Sequence, residues 1–260
     1  MGGIYTSLRK GATAVMVLPC HLLPTDWLQL FLARAAKKRA ARLSSDQALR
    51  FLFGIDQRLY AEMGKHAVRY GRGVHTKHRH MNYHRFFSQR IDSDERVLDI
   101  GCGIGAVAHH VATTCNAKVV GIDYSERNLE QARRQFSHPN VEYCLGDVTQ
   151  GLPPGPYDVV ILSNVLEHLA GRPEFLRRVV DATSARRMLI RVPLFERDWR
   201  VPLKKELGVD WRLDDDHETE YTLESFHEEM REAGLLVRHI EVRWGEIWSE
   251  LKCPSHDASH

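Results

Sequence analysis

Cysteine is scarce and unpatterned in this chain of 260 residues. Cys20, Cys102, Cys115, Cys144 and Cys253 are odd in number and form no C-x-x-C pair. That excludes a disulfide framework and a thiolate zinc ribbon, and is the usage expected of a reducing, cytoplasmic compartment. Internal repeats and low-complexity tracts are also missing, which excludes solenoids and long disordered tails. No apolar run is long enough to span a membrane. The stretch 12–18, after Arg9 and Lys10, meets Pro19 at once and lacks a small-residue cleavage site, so it makes a poor signal peptide. Met1-Gly2 with Thr6 has the form of a myristoylation signal, a pattern short enough to arise by chance.

An excess of one charge is absent too: 36 Lys and Arg stand against 34 Asp and Glu, a net of +2. The balance hides a polarity. Residues 34–90 carry 14 basic side chains and three acidic ones, whereas residues 206–250 are rich in acid. A basic N-terminal part suits an anionic surface or an acidic substrate. No basic patch with interleaved aromatics marks a nucleic-acid binder. Trp27, Leu28, Leu30, Phe31 and Leu32, followed by Arg34, Lys37, Lys38, Arg39 and Arg42, give a helical stripe with two readings. It packs on the rest of the protein, or it makes peripheral membrane contact through residues 26–42.

What the chain does have is concentrated between residues 97 and 105. Val97, Leu98 and Ile100 form an apolar burst suited to a buried strand, which runs into Gly101, Gly103 and Gly105 and then a helix-friendly stretch, 106–112. Strand, glycine turn and helix bring backbone N–H groups and a helix N-terminus toward a ligand, and a nucleotide-type cofactor is expected there. Gly101, Gly103 and Ala106 formally satisfy a dinucleotide fingerprint, which keeps a nicotinamide-dependent oxidoreductase open as an alternative. Asp99 two residues before the first glycine, and a third glycine one position early, argue against it. A second buried strand ends at Asp123, a third (141–145) runs into Gly146, Asp147 and Val148, and a fourth (157–162) runs into Ser163 and Asn164. Each strand end delivers a polar group where open α/β sheets bind ligands.

Asp99-x-Gly101-x-Gly103-x-Gly105, Gly121-Ile122-Asp123-Tyr124-Ser125, Gly146-Asp147-Val148 and Asn164-x-x-Glu167-His168 resemble, in order, the motifs of class I S-adenosylmethionine-dependent methyltransferases. The resemblance covers roughly residues 91–250. It implies a Rossmann-like, doubly wound α/β sheet with a terminal antiparallel strand, plus an N-terminal helical extension. It implies S-adenosylmethionine as cofactor, with Asp99 and the loop of Gly101, Cys102, Gly103 and Gly105 on the methionine moiety. Asp123 would bind the ribose hydroxyls and Tyr124 would lie beside the adenine. Asp147, between Gly146 and Val148, would face its amino group, with Ser163 at the same edge. Each Asp has a plain structural alternative, as a helix cap at Asp123 and a turn residue at Asp147. Cys102, inside the loop, is a small filler.

The spacing divides the chain into a helical extension or cap (1–90), a catalytic domain (91–252) with a substrate-loop insertion (193–222), and a tail (253–260). A long amphipathic helix starts near Ser45 and ends at Gly71 to Gly73, and a second covers residues 83–90. A fifth strand covers 186–192, a capped helix runs from Thr222 to Gly234, and strands at 236–242 and 246–252 close the sheet. Residues 194–221 read as an irregular, functional connection.

Methyl transfer needs alignment first, and a general base only when the acceptor must lose a proton. His217 and His168 are the candidate catalytic residues, with a loop or capping role as the plain alternative for His217 and a helix-surface position for His168. His75, His78, His80 and His84 have metal-like spacing but no paired acid or thiolate, and with Lys77, Arg79 and Tyr83 they fit a lid better; no metal ligand is assigned. Arg197, Arg200, Lys204, Lys205 and Arg212 favour an anionic acceptor, and Trp199, Trp211 and Trp244 offer stacking for rings. The Asn-Pro-Pro-Tyr type signature of nucleobase amino methylation is absent, since Val165 follows Asn164. The expected acceptor is therefore a small molecule or a glycan, methylated at oxygen. A cofactor-binding protein without turnover is the non-enzymatic alternative.

Overall fold

A computed structural model describes residues 22–254. The myristoylation-like start, the stretch 12–18 and Cys20 lie outside them. The chain divides into two compact units. The smaller comprises the described residues up to Lys65 together with Leu207–Val209, and the larger comprises His66–Glu206 and the residues from Asp210 onward.

The smaller unit contains α1 (Thr25–Ala40) and most of α2 (Ser45–Tyr70). Along α1, Asp26 sits in the first turn and Lys37, Lys38 and Arg39 in the last, which complements the helix dipole. It buries no residue, and Trp27, Leu30, Phe31 and Leu32 are exposed. No described helix is long and apolar enough to cross a membrane.

In the larger unit, α4 (His84–Ser88) stands where a helix was expected at residues 83–90, and a further short helix, α3 (Thr76–Met81), precedes it. Asn82, at φ 50°, breaks the helical path between them. The core follows: β1 (Arg96–Ile100), α5 (Ala106–Cys115), β2 (Lys118–Asp123), α6 (Glu126–Gln135), β3 (Val141–Leu145) and β4 (Val159–Ser163). After a 3-10 turn at Leu166–His168 come α7 (Arg172–Thr183), β5 (Arg187–Pro193), α8 (Arg200–Glu206), α9 (Leu223–Glu232), β6 (Leu236–Arg243) and β7 (Glu246–Lys252). The seven strands lie in the order β3-β2-β1-β4-β5-β7-β6, and only β7 runs against its neighbours. This is the expected doubly wound sheet with its antiparallel strand.

Alternation along the strands sorts the core into two layers. Leu98, Ile100, Val160, Leu162, Met188 and Ile190 pack on one face with residues of α7 and α9. Val97, Val159, Ile161 and Leu189 pack on the other with Phe86 and Phe87 of α4, Val111 of α5 and Trp248. Central parallel strands covered by helices on both sides read as continuous apolar runs, which is why β1 and β4 are legible from composition. Burying side chains of this size contributes about 1.5–3 kcal/mol each. Cys253, expected in a tail, is buried and donates its N–H to the Arg186 carbonyl, because the β5–β7 pairing runs one residue beyond Lys252.

The connection after β5 is more ordered than its sequence suggests, since it contains α8 and a 3-10 turn at Phe195–Arg197. Pro202 reads as a breaker, yet it sits in the first turn of α8, where its missing N–H removes no helical bond. The connection closes where Phe195 N–H meets the Tyr221 carbonyl at 2.7 Å, and Thr222 then caps α9 in a reciprocal capping box with Ser225.

Candidate functional site

β1, β2 and β4 end side by side, with Asp99 level with Gly121 and Ile161. The turn after β1 exists because its glycines take conformations and contacts other residues cannot. Gly101 has φ 66°, and a Cβ there would stand 2.6 Å from the Val165 side chain. Gly103, at φ 54°, has open space where its Cβ would project. Gly105 is the N-cap of α5. Between them Cys102 fills the gap above Gly121, and burial pushes its thiol far above the usual range, which disfavours the thiolate form.

Asp99 is fully buried under this loop, and its Oδ2 has no hydrogen-bond partner. Burial raises its carboxyl to about 7; the Ala108 backbone N–H pulls it down and nearby Asp123 pushes it up. Asp123 is better satisfied. Its Oδ2 accepts from Gly103 N–H at 2.9 Å, and its Oδ1 accepts from Ser125 N–H at 2.9 Å and Asn128 Nδ2 at 3.3 Å. The carboxylate thus clamps the glycine loop to the start of α6, whose N-cap is Ser125. Tyr124 beside it is exposed. Gly146 donates its N–H to the Asp123 carbonyl, and Val148 packs against the core. Asp147 is exposed and closes a turn, accepting from the Thr149 N–H and hydroxyl at 2.8 and 2.7 Å.

A bound nucleotide-like cofactor with an ammonium group and sugar hydroxyls fits this cradle. Asp99 Oδ2 is a buried acceptor lacking a donor, and Gly103 leaves its side open.

A polar system lies at the ends of β4 and β5. Arg191 makes a buried two-pronged pair with Glu246 at 2.5 and 2.9 Å, donates to the Ser163 hydroxyl at 3.1 Å, and stacks 3.9 Å over the Tyr83 ring. Trp248 Nε1 donates to Glu246 at 3.0 Å. Asn164, at φ 59°, keeps its Oδ1 buried and unpartnered.

The 3-10 turn after Asn164 carries Glu167 and His168, and the residue 210–221 segment brings His217 to them. The Glu167 carbonyl accepts from Glu218 N–H at 2.8 Å, which ties the two segments together. The two imidazoles meet edge to face at 4.6 Å. One oxygen of Glu167 and one nitrogen of each histidine lie within 4.8 Å of one another. Glu167 is buried with both oxygens unpartnered, and burial raises its carboxyl to about 8, against the pull of the His217 and Arg191 charges. Burial works against protonation of His217, but the Glu220 hydrogen bond and the Glu167, Glu220 and Asp214 charges outweigh it and raise its pKa. His217 Nδ1 is 3.2 Å from Glu220, which is held by Arg197 and by Leu213 N–H at 2.6 Å. His168 Nδ1 is 3.3 Å from Asp216 but off the line of a hydrogen bond.

The structure therefore brings together His168 and His217, 49 positions apart, and adds Glu167, Glu220 and Arg197, for which spacing alone suggests no role of this kind. Only Glu167 left a signal, as an acid within Asn164-x-x-Glu167-His168 that follows an apolar strand. The histidines of residues 75–84 meet in a chain of ring contacts through Tyr83, His80 apart, and take separate roles. His75 caps α3, His78 bonds the Tyr83 hydroxyl at 3.0 Å, His84 stacks near His110 and His80 is exposed. Arg197 and Arg200, read as anion ligands, pair with Glu220 and Asp198. Trp211 packs on Phe195 beneath Lys205 and Arg212, while Trp199 and Trp244 are exposed. An open cleft at the opposite edge of the sheet, whose lining includes Asp92, Glu95, Arg186 and Arg187, carries ion pairs along its wall and lies away from the C-terminal ends of the parallel strands.

A family model described as methyltransferase domain matches residues 66–240. The ubiquinone biosynthesis O-methyltransferase of Bradyrhizobium diazoefficiens is 30% identical over 120 residues, covering 45% of this chain and 47% of that protein. Ajmaline N-methyltransferase of Rauvolfia serpentina is 29% identical over 107 residues, covering 39% and 37%. The chain thus spans about half the length, or less, of the curated relatives it matches. Among solved structures, an S-adenosylmethionine-dependent methyltransferase of Listeria monocytogenes superposes with TM-score 0.52 at 19% identity, over 66% of this chain and 98% of that one. The magnesium protoporphyrin IX methyltransferase of Synechocystis, solved with bound SAH, gives 0.53 at 17% identity, over 67% and 84%. These likenesses establish the fold.

Proposed function

The chain belongs to the methyltransferase domain family of S-adenosylmethionine-dependent class I proteins, and from that premise we propose that it methylates a hydroxyl oxygen of a small-molecule or glycan acceptor. Family membership removes the nicotinamide reading that Gly101, Gly103 and Ala106 allowed. The observation that carries the choice of oxygen is the buried group of Glu167, His168 and His217. A hydroxyl must lose its proton as it is alkylated, whereas a neutral amine can attack first, so a proton-accepting set suits an oxygen acceptor.

When bound, S-adenosylmethionine supplies an electrophilic methyl group whose bond to sulfur breaks with the electron pair left on sulfur. The orphaned Asp99 oxygen accepts from the methionine ammonium, and the open side of Gly103 lets backbone approach that moiety. Asp123 accepts from the ribose hydroxyls while it holds Gly103 in place. Tyr124, Gly146, Asp147 and Val148 border the adenine, and Ser163 lies at the same sheet edge. His217 and His168 take up the acceptor's proton, with Glu220 as a positioning residue that fixes the His217 ring. Exposed Trp199 offers a face for a sugar or aromatic ring.

Calorimetric titration with S-adenosylhomocysteine, with NADH as control, tests the cofactor. Incubation with methyl-labelled S-adenosylmethionine and a panel of phenols, sugars and amines tests the acceptor. Label on hydroxyls is expected. Label on amines alone overturns the oxygen assignment, and binding without turnover on an effective panel supports the non-enzymatic alternative.

A further inference from the structure

We propose that Glu167, His168 and His217 form a binding site for one first-row divalent cation of the zinc type, on the acceptor side of the glycine loop. Among the described residues this is the only group of three or more His, Cys, Asp and Glu side chains whose donor atoms converge this way. Its burial separates it from ordinary surface acids. Glu167 is fully buried and both its oxygens lack a partner, an arrangement that is unfavourable while the carboxylate is charged and alone. A cation at the convergence point supplies the missing partner. His217 is buried as well, and His168 is partly so.

The donor set fits the ion class. Two imidazoles and a carboxylate suit zinc and its first-row neighbours, whereas magnesium and calcium favour oxygen-only sets. Ligands at ~2.0–2.2 Å around a tetrahedral ion stand roughly 3.3 Å apart. Donors now within 4.8 Å of one another are at most about 1.5 Å further apart than that. Three protein ligands leave a coordination position open, as in catalytic rather than structural sites.

The surroundings supply a second argument. Ligating histidines hold their other ring nitrogen against a carboxylate, which fixes ring and tautomer. For His217 this carboxylate is Glu220, which stands at Nδ1 and is itself anchored by Arg197 and Leu213 N–H, while exposed Asp214, 3.6 Å from Nε2, yields that nitrogen to the cation. The turn that carries two of the ligands touches the cofactor loop, since Val165 fills the space where a Gly101 side chain would be.

Cation binding stands on this geometry alone; only its purpose rests on the methyl-transfer reading. With both imidazoles ligated, the cation takes over from them as the group that frees the acceptor's proton: it lowers the pKa of an acceptor hydroxyl that reaches the open position, the proton leaving to solvent.

The test uses the full chain stripped with a chelator and then titrated with Co2+ and with Zn2+, by absorption spectroscopy and calorimetry. One tight equivalent is expected, with Co2+ d–d bands of a low-coordinate site. Glu167→Gln and His217→Ala should each weaken it at least ~100-fold, and Glu220→Gln by ~10–100-fold. Retained binding of S-adenosylhomocysteine shows that each variant is folded. No tight equivalent in the wild type, or equal binding in wild type and all three variants, overturns the cation site and leaves methyl transfer standing. A tight equivalent in a protein that binds no S-adenosylhomocysteine overturns the methyltransferase reading and leaves the cation site.

Discussion

Replacing Asp99 by asparagine should make the empty protein more stable and its hold on the cofactor weaker. The carboxyl is raised to about 7 in the folded state, by burial first, against an ordinary value of 3.8. Below pH 3.8 it is protonated in both states and carries no penalty. Between the two values the unfolded chain ionises while the folded one resists, so stability falls as pH rises, and above about 7 the loss is complete. At ~1.36 kcal/mol per pKa unit the full penalty is on the order of 4 kcal/mol, an upper figure because asparagine brings an amide into the same buried space. The amide side chain has nearly the same shape as the carboxylate and cannot ionise. The variant's advantage should therefore be large at pH 8 and shrink to less than half at pH 5. The cofactor side has the opposite sign. Losing a charge-assisted bond to the methionine ammonium costs about 1.5–3 kcal/mol, or roughly 10- to 150-fold in affinity. Urea denaturation at the two pH values and calorimetry with S-adenosylhomocysteine measure both effects. A variant less stable at pH 8 with unchanged affinity would refute the reasoning, because Asp99 would then be an ordinary structural carboxylate.

Asp123→Ala removes acceptors from Gly103, Ser125 and Asn128 and should weaken S-adenosylhomocysteine by at least about tenfold; unchanged calorimetric affinity would assign Asp123 to capping alone. Glu246→Gln leaves the buried Arg191 guanidinium uncompensated and should cost about 3–5 kcal/mol in denaturant unfolding. Burial holds the pKa of His84 down to about 3 and that of His78 to about 4, with His110 and Lys77 charges respectively adding to the effect. The unfolded chain takes up protons on these two histidines first on acidification, so their own contribution to stability falls from about pH 6.5 downward, opposite in sign to that of Asp99, and His84→Gln should remove its share.

The sheet was legible in the sequence because parallel strands buried on both faces write themselves as apolar runs ending in Gly or Asp, as β1 and β2 do. Glu246–Lys252 was legible to the residue, since a short apolar stretch with Ile247, Trp248 and Leu251 follows the turn signal at Gly245 and ends before Pro254. Helix α8 was not, because Pro202 breaks a helix everywhere except in its first turn. The glycine loop and its two carboxylates could be placed from spacing. That Asp123 braces Gly103, and that Asp147 closes a turn with Thr149, are facts of side-chain direction that spacing does not carry. Glu167 gained its meaning only when folding set His217 beside it.

The position of β7 has a bearing on how this protein is made. The strand is synthesised after every other strand of the sheet, yet it lies inside it, between β5 and β6. Until residues 246–252 emerge from the ribosome, β5 presents an open edge built from Met188, Leu189, Ile190 and Val192, all buried in the finished protein. An unpaired apolar edge is a template for wrong partners. During that interval Arg191 also lacks Glu246, so the charged clasp beneath Ser163 does not yet exist. The polar system at the ends of β4 and β5 is thus completed only when the seventh strand slots into place. A ribosome paused before residue 246 would hold a chain with its sheet unsealed and a standing need for a chaperone.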